Sequence, residues 1–346
     1  MDPTARINEP GSAPREESRA TRRAERRVLI TGGAGFLGVN AALHMIREGW
    51  HTTLLDNLSR PGTERNLKWL ITRHPTQTTF IKEDVRNAGA LAVHVKNQDA
   101  ILHLAGQVAV TTSMVDPSTD FDVNARGTVN LLEAVRIHNP EAPFLFASTN
   151  KVYGKLDHNN AACKETQPID FHSPYGCSKG AADQYVRDYA RCFHMNTVVL
   201  RQSCIYGAHQ YGTEDQGWVA HFVHSILNHR PLTIYGDGKQ VRDVLDARDL
   251  SALYSTVIAK IDRTRGEIYN VGGGPANQRN LLEVIAHIGE LTNTQPAYTF
   301  SDWREGDQAF YVSDITKAKQ ELGWEPQIPF DVGVKDLVAW AASVSG

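Results

Sequence analysis

From Arg27 onward, short runs of β-branched and aliphatic residues alternate with longer stretches whose apolar positions recur at helical spacing. The runs RVLIT (27–31), HTTLLD (51–56), TTFIKED (78–84), DAILHLA (99–105), PFLFAS (143–148) and TVVLR (197–201) read as strands. FLGVNAALHMIREG (36–49), ARGTVNLLEAVRIHN (125–139) and a stretch running to about Cys192 read as helices between them. This alternation predicts an α/β fold with a doubly wound parallel sheet and right-handed crossovers. After residue 203 the pattern loses its regularity. DQGWVAHFVHSILNH, LLEVIAHIGEL, DITKAKQEL and VGVKDLVAWAASV read as helices, PLTIYG as a short strand, and VRDVLDARDLSALYSTVIAKI as a strand leading into a helix. A smaller C-terminal lobe over the carboxyl edge of the sheet is expected, where open α/β sheets take their ligands.

The first strand runs into VLITGGAGFLG, which sets Gly32, Gly35 and Gly38 in a GxxGxxG spacing before a helix. Glycines there permit a tight turn and let the main chain approach a pyrophosphate, which the helix amino terminus then holds. Asp56 closes the second strand, where a carboxylate accepts hydrogen bonds from an adenosine ribose diol and repels a 2′-phosphate. That favours NAD over NADP, although Arg60 lies close by in sequence. The sheet is therefore expected to be Rossmann-like. The expected cofactor-binding set is Gly32, Gly35, Phe36, Leu37, Gly38, Asp56, Asn57, Ser59, Arg60, Asp84, Val85, Leu104, Ala105, Gly106, Gln107 and Asn124, with Tyr175 and Lys179 completing it.

Those last two stand four apart in FHSPYGCSKGAADQY (171–185), on one face of a helix and among small residues. A free phenol has a pKa of about 10 and is a poor base at neutral pH. A lysine one turn away stabilises the phenolate, and a nicotinamide charge adds to that. Tyr175 is then suited to take a hydroxyl proton while hydride leaves the same carbon. Thr149, with Ser148 beside it in ASTNKVYG, offers a hydroxyl at the preceding strand end to orient the substrate oxygen.

TGGAGFLG, Asp56, STNKVYG, Tyr175, Lys179, KQVRDVLDARDL (239–250) and REGD (304–307) together resemble the extended short-chain dehydrogenase/reductases that act on nucleotide sugars. The resemblance runs from about Arg27 to the C-terminus. It implies a catalytic trio of Thr149, Tyr175 and Lys179. It also implies a nucleotide-diphosphate sugar as partner, with Arg242 and Arg304 binding its pyrophosphate. Gln107, Thr149, Asn150 and Cys204 complete the implied substrate set, Cys204 standing where many relatives carry an asparagine. The implied division is 27–203 with 242–268 for NAD, and 204–241 with 269–346 for the nucleotide sugar. Within the family, SPYGCSKGAADQY and STNKVYG are most similar to enzymes inverting C2 of a CDP-linked deoxyhexose. Dehydratases in the family place an acid just after the catalytic Thr or Ser. Here Asn150 and Lys151 follow, and an amide is no general acid. Epimerisation through a transient keto sugar is thus favoured. A C4-epimerase, another oxidoreductase of a UDP, GDP or dTDP sugar, and a non-catalytic NAD-binding regulator are the competing readings. Relatives imply a homodimer or homotetramer, pairing through helices near 118–138 and 174–193.

Composition narrows this in a few places. Of 346 residues, 41% are hydrophobic and 22% charged, as in ordinary globular chains. The first 27 residues hold seven arginines and five acids, with Pro3, Pro10 and Pro14 and little that is apolar. Residues 1–26 are therefore expected to be a disordered tail. The overall charge of −3 leaves no global nucleic-acid footprint. No apolar run is long enough for a membrane span. Four cysteines without CxxC spacing read as reduced thiols in a cytoplasmic protein, and the 14 histidines form no metal signature.

Overall fold

The computed structural model describes residues 25–156, 162–304 and 307–344. The expected tail, 1–26, lies outside the described residues up to position 24, and its last residue, Arg26, instead opens the first strand, paired with Trp50.

Thirteen strands form among the described residues. Six come first: β1 (Arg26–Thr31), β2 (Trp50–Asp56), β3 (Thr78–Lys82), β4 (Ala100–His103), β5 (Phe144–Thr149) and β6 (Thr197–Gln202). β7 (Cys204–Tyr206), β8 (Leu232–Tyr235), β9 (Val241–Asp246) and β10 (Ile268–Val271) follow. β11 (Gln278–Asn280), β12 (Tyr298–Ser301) and β13 (Phe310–Tyr311) are short. The first six join β10 in a seven-stranded parallel sheet of order β10–β6–β5–β4–β1–β2–β3. Buried parallel strands read as continuous apolar runs because both faces are covered. Accordingly Val28 and Ile30 pack into one core while Leu29 between them packs into the other.

On one face lie α1 (Phe36–Arg47) and α2 (Thr63–Arg73). On the other lie α3 (Ala88–His94) and, past the short α4 (Val110–Val115) and α5 (Pro117–Phe121), α6 (Gly127–His138) and α7 (Pro174–Phe193). A π-helical turn, Asp122–Arg126, joins α5 to α6. α8 (Trp218–Leu227) belongs to the lobe, and α9 (Ala247–Ala259) returns to pack on α1. After α10 (Ile261–Thr264), α11 (Leu281–Thr292) and α13 (Phe330–Val344) build the lobe core with α8 around Phe222, Ile285 and Leu337. The intervening α12 (Thr316–Leu322) sends Ala318 and Leu322 into the sheet core instead.

The expected division is therefore cut differently by the chain. β9 leaves the large sheet and centres a small one, flanked by β11, β7 and β13, while α9 stays on the sheet. β10 supplies the seventh strand through Val271, beyond the anticipated boundary at 268.

A buried ion pair joins α7 to the sheet. Arg201 on β6 donates through Nε and Nη2 to the two oxygens of Asp183, each at 2.9 Å, and both residues are nearly inaccessible. Ser148 on β5 donates to the same carboxylate at 2.7 Å. Removing one member of such a pair leaves an uncompensated buried charge, at about 3–5 kcal/mol. Arg201→Leu should therefore lower the chemical-denaturation stability by about that amount, and Arg201→Leu with Asp183→Leu should recover much of it. Equal stability of the single variant and wild type would contradict this.

Candidate active site

The sheet order reverses between β1 and β4, which opens a crevice at their carboxyl ends. The glycine turn follows β1 there. Gly32 has φ +67°, and a Cβ on it would lie 2.7 Å from the Ala105 nitrogen after β4. A Cβ on Gly38 would collide with the Gly32 carbonyl oxygen. Glycine at both positions lets α1 begin directly beneath the turn. Gly35 caps α1 without a side chain, so the amino terminus that begins at Phe36 and Leu37 is left for an anion.

Asp56 stands at the end of β2 and accepts from Ala34 N at 3.1 Å and Leu58 N at 2.8 Å. Burial raises its carboxyl, while those N–H groups oppose the shift. Asn57 donates to Asp84 at 2.8 Å, and Ser59 N donates to Asn57 Oδ1 at 3.0 Å. Asp84 also receives three bonds from Arg86, two from the guanidinium and one from the backbone N–H, which hold its carboxyl well below the usual range. Val85 is buried, packed against Gly127. Opposite, Leu104 N donates to the Thr31 carbonyl and Gln107 N to Asn124 Oδ1 at 2.9 Å. A Cβ on Gly106 would stand 3.0 Å from Asn124 Oδ1 and 3.8 Å from Lys179 Nζ, so the glycine keeps main chain close to the ammonium. The crevice thus fits a dinucleotide: a glycine cradle, an uncapped helix and a carboxylate where a ribose would lie.

Thr149 ends β5 and Tyr175 begins α7, where Ser173 caps the helix by accepting from Gly176 N. The Thr149 hydroxyl lies near enough to Tyr175 to favour its phenolate, and both residues are buried. Burial pushes the Tyr175 phenol up to about 12, against pulls from the Thr149 hydroxyl and from Arg60. Lys179, equally buried, donates to the Ala147 carbonyl at 2.5 Å and lies 4.1 Å from the centre of the Phe146 ring. Desolvation lowers it to about 7, with the Asp183 and Asp120 charges opposing. Its ammonium is turned to the strand carbonyl, and the cation acting on Tyr175 is Arg60, from the far side of the crevice.

A polar network behind the trio was not legible beforehand. Asp120 accepts from Asn124 at 3.2 Å and Gln107 at 3.1 Å, and closely from Ser178 Oγ. Asn124 lies in the π-helical turn, a feature frequent at functional sites. Ser113 Oγ accepts from Tyr175 N at 3.1 Å. His103 bridges Thr31 at 2.7 Å and Thr128 at 2.9 Å, and burial lowers its pKa to about 3, so the ring is neutral. Ser178 lies inside the tyrosine–lysine spacing itself, whereas nothing in the sequence marks Asp120.

On the lobe side, Arg242, Cys204 and Lys151 lie within electrostatic reach of one another and Asn150 meets Gln308, while Arg304 has carboxylate and aromatic partners of its own. Arg242 donates to Asp307 Oδ1 at 2.8 Å, and also closely to the Gln308 carbonyl. Lys151 approaches the same Asp307 oxygen at 3.5 Å and lies within electrostatic reach of Arg242 and Cys204. Asn150 faces Gln308 Oε1 at 3.5 Å. Arg304 pairs instead with Glu214 at 3.0 Å and stacks on Tyr235 at 3.8 Å. Glu305 and Gly306 of the REGD stretch lie outside the described residues. Lys151, Asp307 and Gln308 were missed as site residues, although the first two stand inside the quoted STNKVYG and REGD stretches. Among the described residues no cluster of His, Cys, Asp and Glu could hold a metal ion, and no helix is long and apolar enough to cross a membrane.

A sheet with this switch point, glycine turn and Thr–Tyr–Lys trio is that of the nucleotide-sugar epimerases and dehydratases. The chain belongs to the family described as GDP-mannose 4,6 dehydratase, matched over residues 29–337. It is 42% identical to a CDP-paratose 2-epimerase of Salmonella typhi, over 92% of this chain and 100% of that one. A UDP-glucose 4-epimerase of Thermus thermophilus, solved in complex with NAD, superposes with a TM-score of 0.83 at 30% identity, covering 92% of this chain and 99% of that one. A dTDP-glucose 4,6-dehydratase of Streptomyces venezuelae, solved with NAD, gives 0.84 at 28% identity, covering 92% and 98%.

Tyr175→Phe removes one oxygen and little volume. It should cut turnover by about a hundredfold or more with NAD content unchanged, and wild-type rates would dismiss Tyr175 as the base. Lys179 carries a second expectation. Its folded value near 7 lies below the free value of about 10.4, so the unfolded chain binds more protons between them. Full stability is present above the free value and is lost as pH falls toward the folded one. Cofactor-free protein should therefore gain stability from about pH 7 to 9, read by melting temperature. Lys179→Met should flatten that rise, and an unchanged slope would show that Lys179 is not desolvated.

Proposed function

We propose that the chain is an NAD-dependent isomerase that inverts C2 of a CDP-linked deoxyhexose. One observation carries the reading: a buried Thr149–Tyr175 pair with Lys179 one turn on, followed by Asn150 and Lys151 where elimination would need an acid. The 42% identity to a CDP-paratose 2-epimerase across nearly the whole chain supports the sugar and the carbon. NAD, when bound, supplies a reversible hydride acceptor and a positive charge beside the phenol.

The chain's own residues supply the rest. Gly32, Gly35 and Gly38 with the α1 amino terminus bind the pyrophosphate of the cofactor, and Asp56 reads its adenosine ribose. Asn57, Asp84 and Val85 line the adenine side. Ala105, Gly106 and Gln107, held by Asn124, line the passage toward Lys179. Thr149 orients the substrate hydroxyl, and Tyr175 takes its proton and later returns it. Asn150 is buried and neutral, so no water is expelled from the sugar. Arg242 and Arg304 bind the substrate diphosphate, exchanging their present carboxylate partners for phosphate oxygens. The ring then turns so that hydrogen returns to the opposite face of C2.

The site requires a dry sheet end but no membrane, and the reduced cysteines fit a cytoplasmic setting. The outer faces of α5, α6 and α7 expose Phe121, Ile137, Tyr185 and Phe193, each about half accessible. An apolar patch of that kind suits a homodimer, or a homotetramer built from two, paired through these helices.

The decisive experiment is isotopic. Sugar carrying deuterium at C2 should keep it there in the inverted product, and turnover in heavy water should add none. Solvent deuterium at C2 would replace the redox cycle with proton abstraction. Retained label with inversion at C4 would keep the cycle and reject the C2 assignment.

A further inference from the structure

The geometry points to Lys151 as a third cation for the substrate diphosphate, and as the residue that decides which ring carbon meets Tyr175. This rests on the reading of the site as one for a nucleotide-diphosphate sugar.

Asp307 Oδ1 lies between two cations, 2.8 Å from Arg242 Nη2 and 3.5 Å from Lys151 Nζ. The two come from different parts of the fold: Arg242 from β9 of the lobe, Lys151 from the turn that follows β5. An anionic oxygen is thus already held at the junction of sheet and lobe. A phosphate oxygen offers the same charge and the same lone pairs, so a diphosphate can take the place of that carboxylate.

The position of Lys151 in the chain adds the regiochemistry. Its backbone N–H donates to Thr149 Oγ1 at 3.2 Å, and the Thr149 hydroxyl lies near enough to Tyr175 to favour its phenolate. The lysine side chain therefore springs from the peptide that touches the reacting pair. In a nucleotide sugar the diphosphate is carried on the anomeric carbon. C2 is bonded to that carbon, whereas C4 lies across the ring from it. A sugar presenting C4 to Tyr175 holds its phosphates a full ring away. One presenting C2 brings the sugar-proximal phosphate up beside the Thr149–Tyr175 pair. A cation two residues past Thr149 serves only the second pose. Asn150 removes the acid of elimination, and Lys151 adds the charge that turns the sugar round.

The test uses the full-length NAD-loaded protein, titrated calorimetrically with CDP and CMP. CDP carries the phosphate that would face Lys151, and CMP lacks it. The UDP/UMP, GDP/GMP and dTDP/dTMP pairs run beside them, and the tightest pair is used throughout. Lys151→Met should weaken the diphosphate about tenfold or more while leaving the monophosphate nearly unchanged. Lys151→Arg should restore most of the loss. Asp307→Asn should strengthen diphosphate binding, because the competing carboxylate is gone. Bound NAD in each variant reports an intact fold, and the Arg and Asn variants keep the test alive should the Met variant misfold. A wild-type ratio of diphosphate to monophosphate affinity in Lys151→Met, or weaker binding in Asp307→Asn, overturns the inference with the nucleotide-sugar reading intact. Failure of wild type to bind any nucleoside diphosphate overturns that reading itself. Trapping the keto sugar during turnover with borodeuteride then locates the oxidised carbon. Label at C2 supports the pose, and label at C4 overturns the regiochemical role.

Discussion

The carboxylate of Asp183 is the point on which the reactive geometry hangs. It sits on α7 one turn beyond Lys179, and it is gripped from β5 by Ser148 and from β6 by Arg201. The β5–β6 register sets Ser148 opposite Arg201 and Thr149 opposite Gln202. One anion thereby fixes the helix bearing the tyrosine and lysine against the strand bearing the threonine. A small shift of α7 along β5 would separate a hydroxyl pair that must lie within hydrogen-bond reach. The same anion also bears on Lys179, opposing the burial that lowers its pKa. Position and charge state are set together.

Lys179 also shows what burying a cation costs. An ammonium wedged between a phenyl ring and one carbonyl is poorly solvated, and its lowered pKa reports that strain. The buried phenol beside it is displaced in the opposite direction. The protein holds the geometry ready, and the loaded site completes the electrostatics.

Much of the fold could be read from the chain because parallel strands and their helices announce themselves locally. The glycine spacing, Asp56 and the tyrosine–lysine pair are all short-range signals, and each falls at the crevice formed where the strand order reverses. Asp120 and Lys151 were invisible as site residues for the converse reason. Asp120 matters only because α5 and the π-helical turn carry it to Ser178, far along the chain. Lys151 matters because the lobe brings Asp307 and Arg242 to it. Where the chain moves between sheet and lobe near residue 242 was hard to read for a similar reason. VRDVLD is half charged and its pattern names neither sheet, and only the pairing with β7, β11 and β13 places it in the smaller one. Arg304 was expected beside Arg242, yet it is held by Glu214 and Tyr235. Sequence proximity to a phosphate motif does not disclose a resting partner.

Asp243, buried next to Arg242, accepts from Ser203 Oγ at 2.5 Å, Gly274 N at 3.1 Å and Ser313 N at 3.1 Å. Those three partners lie where the chain passes between sheet and lobe: after β6, after β10 and after β13. A single carboxylate thus ties three of the crossings together. The walls of the cleft are consequently standing masonry rather than jaws. A sugar that must offer both faces to the same nicotinamide has to pirouette in a room of fixed dimensions, tethered at its phosphate end, and the latitude of that tether limits how easily the second face comes round.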